Sequence, residues 1–296
     1  MPRIYDKQNP PPAGNFPSVL AIGDSWFWYP ASNLLDQIDA HPSVSGGVGN
    51  TKYTGIYRLG FNGAASIEYV GAGRYAPDFN AELLPQNIKY YSGFFISGGG
   101  NDAVAYPDLH NGPYTFGLKD QCGGIGDPLQ CLDEDRVQIL LRQVIGALGH
   151  AISNIVHAYQ ASVDGGHRND NGIDIFLHGY AYPVPDGRGV GFDGFPPLSG
   201  PWIGKKMDLA NVDKGLPFRY AITRELITRL NKSLSTFDGM YNGCVHFIDS
   251  EAAFGSNFDP NYKSVWTNEL HPTPGGFKYI VDQYWVPMMK RYGFAV

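Results

Sequence analysis

Charge is scarce in this chain. Only 17% of its 296 residues are Asp, Glu, Lys or Arg, and the balance is acidic, −6 with neutral histidines. A phosphate-backbone partner favours a basic face, so nucleic acid is not an expected ligand. Long apolar runs are missing as well. No stretch of 18 consecutive apolar residues occurs, so no membrane span is expected. Residues 1–17 are polar and rich in Pro and Asn, without the apolar stretch of a secretory leader. The expectation is a cytoplasmic protein, with a trimmed mature form or a leaderless route out of the cell as alternatives.

Cysteine is also sparse. Cys122, Cys131 and Cys244 have no metal-ligand spacing, and an odd count fits no full disulfide framework. Cys122 and Cys131, nine residues apart in a Gly-rich stretch, either pair locally or stand as two free thiols. Cys244 precedes an apolar run and reads as a small buried residue. His150 and His157 share a helical segment, but no HExxH accompanies them, so zinc hydrolysis is unsupported. No Gly-Lys-Ser/Thr phosphate loop is present, and no GxGxxG opens a helix. No cofactor is expected.

What the chain does have is a buriable core and aromatic loops. Hydrophobic residues make up 43%, above the range of disordered chains. Gly (38), Pro (22), Tyr (19) and Phe (17) are plentiful, which suggests long ordered loops carrying rings. Five strand-length apolar runs, at 18–22, 56–59, 94–97, 173–177 and 245–248, are bounded by Gly, Pro or Asp. Helical periodicity covers 32–40, 136–159, 218–234 and 276–291. In the second of these, Val137, Leu140, Leu141, Val144, Ile145, Leu148, Ile152, Ile155 and Val156 fit a 3.6-residue period.

Strands alternating with helices predict an α/β protein with a parallel sheet and helices on both faces. Active residues then gather at the carboxyl ends of the strands. A single domain over 1–296 is expected. Two Gly/Pro-rich aromatic stretches, at about 103–131 and 183–217, follow strand ends and would overhang the site. Loops of that length inside a compact domain are usually lids or binding loops.

Four clusters at strand ends carry chemistry. Gly23-Asp24-Ser25-Trp26 places a hydroxyl on a tight turn after the first strand; a serine there becomes a nucleophile if a base takes its proton. An ordinary turn capped by Ser25 would use the same residues. Asn62-Gly63-Ala64 follows the second strand and leaves room for a backbone N–H to face a substrate oxygen. Gly98-Gly99-Gly100-Asn101-Asp102 follows the third, and the Asn101 amide is a donor of the kind an oxyanion needs. Asn268-Glu269-Leu270-His271-Pro272 precedes the last helix and supplies the base. His178, ending the fourth strand, is the second candidate base.

Together the four clusters resemble the blocks of the SGNH, or GDSL-type, esterase and lipase superfamily. The likeness runs from residue 18 to 280. Trp26 stands where the first block usually has Leu, and the GxSxG elbow of the α/β-hydrolase fold is absent. The resemblance implies a flavodoxin-like three-layer α/β/α sandwich whose central parallel sheet has about five strands. It also implies ester hydrolysis through an acyl-enzyme. Ser25 would attack, His271 would serve as base, and the N–H groups of Ser25 and Gly63 with the Asn101 amide would form the oxyanion hole.

The last block departs from the family pattern, in which an Asp three residues before the His orients it. Here that position is Asn268. Its side-chain oxygen, its backbone carbonyl, and Glu269 one residue out of register are the three candidate orienters. Trp26, Trp28 and Tyr182 are the expected substrate-binding rings, with Phe27, Tyr29, Tyr180, Phe192, Phe195 and Trp202 adding to the aromatic wall. The expected substrate is a small-molecule, lipid or sugar ester, served by an esterase, a lysophospholipase or a carbohydrate O-acetylesterase. A non-catalytic binding protein that keeps the fold is the alternative of another class. A nucleotide-binding protein is disfavoured by Asp-Ser-Trp-Phe at the end of the first strand.

Overall fold

Each of the five predicted apolar runs forms a strand in the computed structural model, which describes residues 3–30, 32–45, 51–104, 117–167, 169–190 and 199–296. They are β2 (Val19–Gly23), β3 (Ile56–Gly60), β4 (Gly93–Ile96), β5 (Asp174–His178) and β6 (Val245–Ile248). β2, β4 and β5 are buried along their whole length, as a central parallel strand covered on both faces must be. A two-residue strand, β1 (Ile4–Tyr5), adds to one edge beside β3, so the sheet has six strands rather than five.

All pairings are parallel, in the order β1-β3-β2-β4-β5-β6. Without β1 this is the 2-1-3-4-5 order of flavodoxin-like sheets, whose direction of winding reverses between the first and third strands. Here the switch point lies between β2 and β4. The register sets Gly23 beside Gly60 and Ile22 beside Ile96. Gly60 has φ +95°, and a Cβ there would lie 2.1 Å from the Gly23 carbonyl oxygen. Only glycine lets β3 turn away so close to β2.

The helices form two separate groups, one for each face of the sheet. The Leu34–Ala40 helix packs with Ser25–Trp28, Pro274–Ile280 and Val281–Trp285, whereas the Glu134–Asp164 helix packs with Ser66–Tyr69, Pro85–Ile88 and Leu216–Leu234. The long helix starts where Asp133 accepts the Arg136 N–H at 3.1 Å, a cap at the positive end of the helix dipole. Val137, Leu140, Val144, Leu148, Ile152 and Ile155 bury one stripe of it, each contributing roughly 1.5–3 kcal/mol. By length and composition this helix could cross a membrane; its buried stripe belongs instead to the core.

Several boundaries differ from expectation. The last helix is not continuous over 276–291. It runs Pro274–Ile280, widens to a π turn at Val281–Trp285 and resumes at Val286–Arg291. Pro287 lacks an N–H and its ring crowds the carbonyl four residues back, which a wider turn accommodates. The stretch 183–217 is not all loop, since it holds the Ile203–Leu209 helix. Cys122 and Cys131 are both free and buried, with the Cys122 thiol directed at the Cys131 carbonyl oxygen (3.7 Å). Phe192 and Phe195 lie outside the described residues, as do the middle parts of both long stretches.

Candidate active site

The turn that carries Ser25 is built around Asp24. Its carboxylate accepts the Trp26 N–H at 3.0 Å and so caps the short Ser25–Trp28 helix. It also accepts the hydroxyls of Ser97 (3.0 Å) and Tyr180 (2.6 Å), which arrive from the ends of β4 and β5. Burial pushes the Asp24 pKa up, and these three donors pull against that rise. Three strand ends are thereby tied to one buried carboxyl, and Ser25 is the next residue.

The Ser25 hydroxyl lies 2.7 Å from His271 Nε2. The other ring nitrogen, Nδ1, is 3.0 Å from Asn268 Oδ1. That oxygen also accepts the N–H groups of Leu270 and His271, both at 2.9 Å. An amide nitrogen could not accept these two backbone donors, so the carbonyl end of Asn268 must face the imidazole. It follows that Nδ1 carries the proton and Nε2 is left as the acceptor toward Ser25. The Asn268 amide nitrogen donates to Tyr29 Oη at 3.2 Å.

Aromatic rings enclose the imidazole. Tyr29 stacks on it with centroids 4.2 Å apart and planes 14° from parallel, and Trp202 meets it edge-on at 5.9 Å. His271 is only 3% exposed. This burial drives its pKa down to about 3, so the ring is neutral at neutral pH.

Glu269, the out-of-register candidate, does not orient the imidazole. Its buried carboxylate accepts four backbone N–H groups: Gly187 (2.8 Å), Trp202 (2.7 Å), Ile203 (2.9 Å) and Gly204 (2.8 Å). Burial raises its pKa and these four bonds oppose the rise. A Cβ at Gly204 would sit 2.6 Å from the Glu269 carboxylate and would force it off its backbone donors. Glu269 thus fastens the start of the Ile203–Leu209 helix to the histidine loop. Arg188 clamps the same loop, donating to the carbonyls of Trp266 and Thr267.

The two glycine-bearing clusters meet at Asn101 and Asp102. The Asn101 amide donates to the Ala64 carbonyl at 3.2 Å, next to Gly63. Asp102 accepts the Ser66 N–H (2.8 Å), the Ser66 hydroxyl (2.7 Å) and the Gly99 N–H (3.1 Å). Gly63 has φ +83° in the turn after β3. Ser25 and Asn101 lie on a narrow cavity of about 30 Å3, room for a water or two. Its remaining walls are mainly apolar: Trp26, Ala103, Val104, Ala181, Pro183, Ile203, Ile227 and Leu270.

Not every expected residue reaches this cavity. Trp26 does, while packing against His178, Tyr180, Trp266 and Phe277. Trp28 turns away, donating its indole N–H to the Leu59 carbonyl (3.0 Å) under the Arg58 guanidinium. Tyr182 bonds Glu251 and Thr228 and faces a separate depression beside Tyr220 and Tyr262. His178, the second candidate base, is fully buried behind Trp26, and neither ring nitrogen has a hydrogen-bond partner among the described residues. Burial lowers its pKa to about 3. The sequence pattern suggests Asp24 as an acceptor of backbone N–H groups in its own loop, and the Trp26 N–H fills that role. It did not reveal Tyr180 or Asp102 as organisers, nor the long-range partners of Asp24, because those contacts span 36 to 156 residues.

No family model and no curated protein matches the chain. Among solved structures it is similar to the lipase Lip_vut3 from a goat rumen metagenome, at 14% identity and TM-score 0.45, over 93% of this chain and 96% of that one. An extracellular lipase from Streptomyces rimosus matches at 14% identity and TM-score 0.40, over 89% and 97%. Est24, a carbohydrate acetylesterase from Sinorhizobium meliloti, matches at 10% identity and TM-score 0.41, over 93% and 98%. At such identities and TM-scores no chemistry is carried over from them.

Proposed function

We propose that the chain is a serine hydrolase of the SGNH type that cleaves carboxylic esters through an acyl-enzyme. The observation that carries this reading is the continuous chain Ser25 Oγ to His271 Nε2 (2.7 Å) and His271 Nδ1 to Asn268 Oδ1 (3.0 Å). A hydroxyl placed on a neutral imidazole whose far nitrogen is held by an acceptor is the arrangement that nucleophilic catalysis needs.

In this reading His271 takes the Ser25 proton as Oγ bonds to the ester carbonyl carbon. The carbonyl oxygen becomes an oxyanion, met by the N–H groups of Ser25 and Gly63 and the free proton of the Asn101 amide. The tetrahedral intermediate collapses, and His271 hands the proton to the departing alcohol. Water then repeats the sequence on the acyl-enzyme, with His271 as base, releasing the acid and restoring Ser25. Asn268 holds the imidazole tautomer without supplying a negative charge. Trp26 is the ring placed to touch substrate.

The narrow apolar cavity beside Ser25 supports a short acyl group, whether on a simple alcohol or a sugar. The test is hydrolysis of p-nitrophenyl esters, acetylated xylan and lysophospholipid by the full chain and by Ser25→Ala and His271→Ala. The reading expects turnover on at least one ester class and loss of it in both variants. Near-full turnover in either variant would refute the assignment. A non-catalytic binding protein, to which Asn268 in place of Asp lends support, expects no turnover at all.

A further inference from the structure

The catalytic cavity has a neighbour. A second cavity of about 20 Å3 is lined by Gly99 and Ala103, by Val137, Leu140 and Leu141 of the long helix, and by Leu226, Ile227 and Leu230 of the Leu216–Leu234 helix. It offers no side-chain hydrogen-bonding group and therefore suits hydrocarbon. Ala103 and Ile227 line both cavities. They form the partition between them, and Ile227 contributes most of its bulk. Gly99, two residues before Asn101, also lines the second cavity, and a Cβ there would crowd Val144 at 3.0 Å and Leu230 at 3.2 Å.

We propose that Ile227 sets the length of acyl chain the enzyme accepts, by walling the catalytic cavity off from an apolar extension that runs between the two large helices. The inference rests on the ester-hydrolase reading above. Ser25, Asn101, Ala103 and Ile227 line one cavity, so an acyl group that is bound at Ser25 and enters this cavity runs toward Ala103 and Ile227. With Ile227 in place it meets the partition after a few carbons. With a smaller side chain there, the two apolar spaces join into one slot that takes a longer chain. Ile227 has no polar side-chain atom and takes no part in the Ser25–His271–Asn268 hydrogen bonds, so chain length should shift without altering the proton relay.

The test is kcat/KM for p-nitrophenyl acetate, butyrate and octanoate with the wild type, Ile227→Ala, Ile227→Phe and Leu140→Ala. The wild type should prefer the short esters. Ile227→Ala should raise the octanoate-to-acetate ratio at least about tenfold, the lower end of what one methylene contributes in an apolar pocket. Ile227→Phe should lower butyrate relative to acetate. Leu140→Ala enlarges the second cavity but leaves the partition, so its ratio should stay near that of the wild type. If Ile227→Ala does not fold, Ile227→Val should give a smaller shift in the same direction. Intact acetate turnover with an unchanged profile in the residue-227 variants would overturn the inference. So would a Leu140→Ala shift as large as that of Ile227→Ala, since general loosening would then account for both. No turnover by the wild type on any ester would overturn the inference and the ester reading together.

Discussion

On the proposed reading, Asn268→Asp would convert a neutral Ser25–His271 dyad into a charged triad, and the contacts around residue 268 set what should follow. Asn268 Oδ1 already accepts three N–H groups, from Leu270, His271 and the imidazole. A carboxylate keeps all three on one oxygen. Its second oxygen falls where the amide nitrogen now meets Tyr29 Oη, and that hydroxyl can rotate to donate. The aspartate is therefore accommodated without an unsatisfied polar atom. Its charge then favours the imidazolium. At about 4 Å and an effective dielectric near 20, the attraction is about 4 kcal/mol, or about three pKa units. His271, now held at about 3 by burial, should rise to about 6. The assay is the pH profile of kcat/KM on p-nitrophenyl acetate, whose acidic limb reports the base of the free enzyme. The wild type should show little loss between pH 8 and pH 5. The variant should match or exceed it at pH 8 and fall about tenfold by pH 5, one unit below its new pKa. An acidic limb that stays in place, or a tenfold loss at pH 8, would refute the role given to Asn268.

Three further outcomes follow from the same contacts. Asn101→Ala removes the amide donor beside Ser25 and should cut kcat by about 100- to 1,000-fold while fluorophosphonate labelling of Ser25 continues more slowly. His178→Phe should keep ester turnover within about tenfold, because His271 and not His178 lies beside Ser25, and should gain stability relative to the wild type as pH falls. The native His178 pKa of about 3 lies below the unfolded value, so the unfolded state binds the extra proton and wild-type stability drops as pH falls from about 6.5 toward 3. The relief at pH 5 is about 2 kcal/mol, read as the difference in urea midpoints between pH 8 and pH 5. Glu269→Gln sets an amide nitrogen against two of the four backbone N–H groups now bound. It should cost about 3 kcal/mol or more in urea unfolding, and proteolysis should become faster within 183–217.

The strands were legible because a buried parallel strand is a short apolar run, and all five fell within a residue or so of the predicted positions. The four clusters were legible because each follows such a run or opens a helix. What the sequence hid was long-range. Glu269 looked like a misregistered orienter, yet its four donors come from 65 to 82 residues away and turn it into a fastener. The aromatic stretch after Ser25 divided in three directions: Trp26 to the cavity, Trp28 to Leu59 and Arg58, and Tyr29 onto the imidazole. Local spacing carries no information about which ring faces which wall. The Ile203–Leu209 helix escaped notice because its apolar positions are few and no side chain of its own caps it. The cap comes from Glu269.

The central claim is that Ser25 is a nucleophile activated by His271. Fluorophosphonate labelling of the purified chain, with the modified peptide located by mass spectrometry, tests it most directly. The account predicts one adduct, on Ser25, absent in Ser25→Ala and strongly slowed in His271→Ala. An unlabelled protein, or an adduct at another residue that persists in Ser25→Ala, would contradict it.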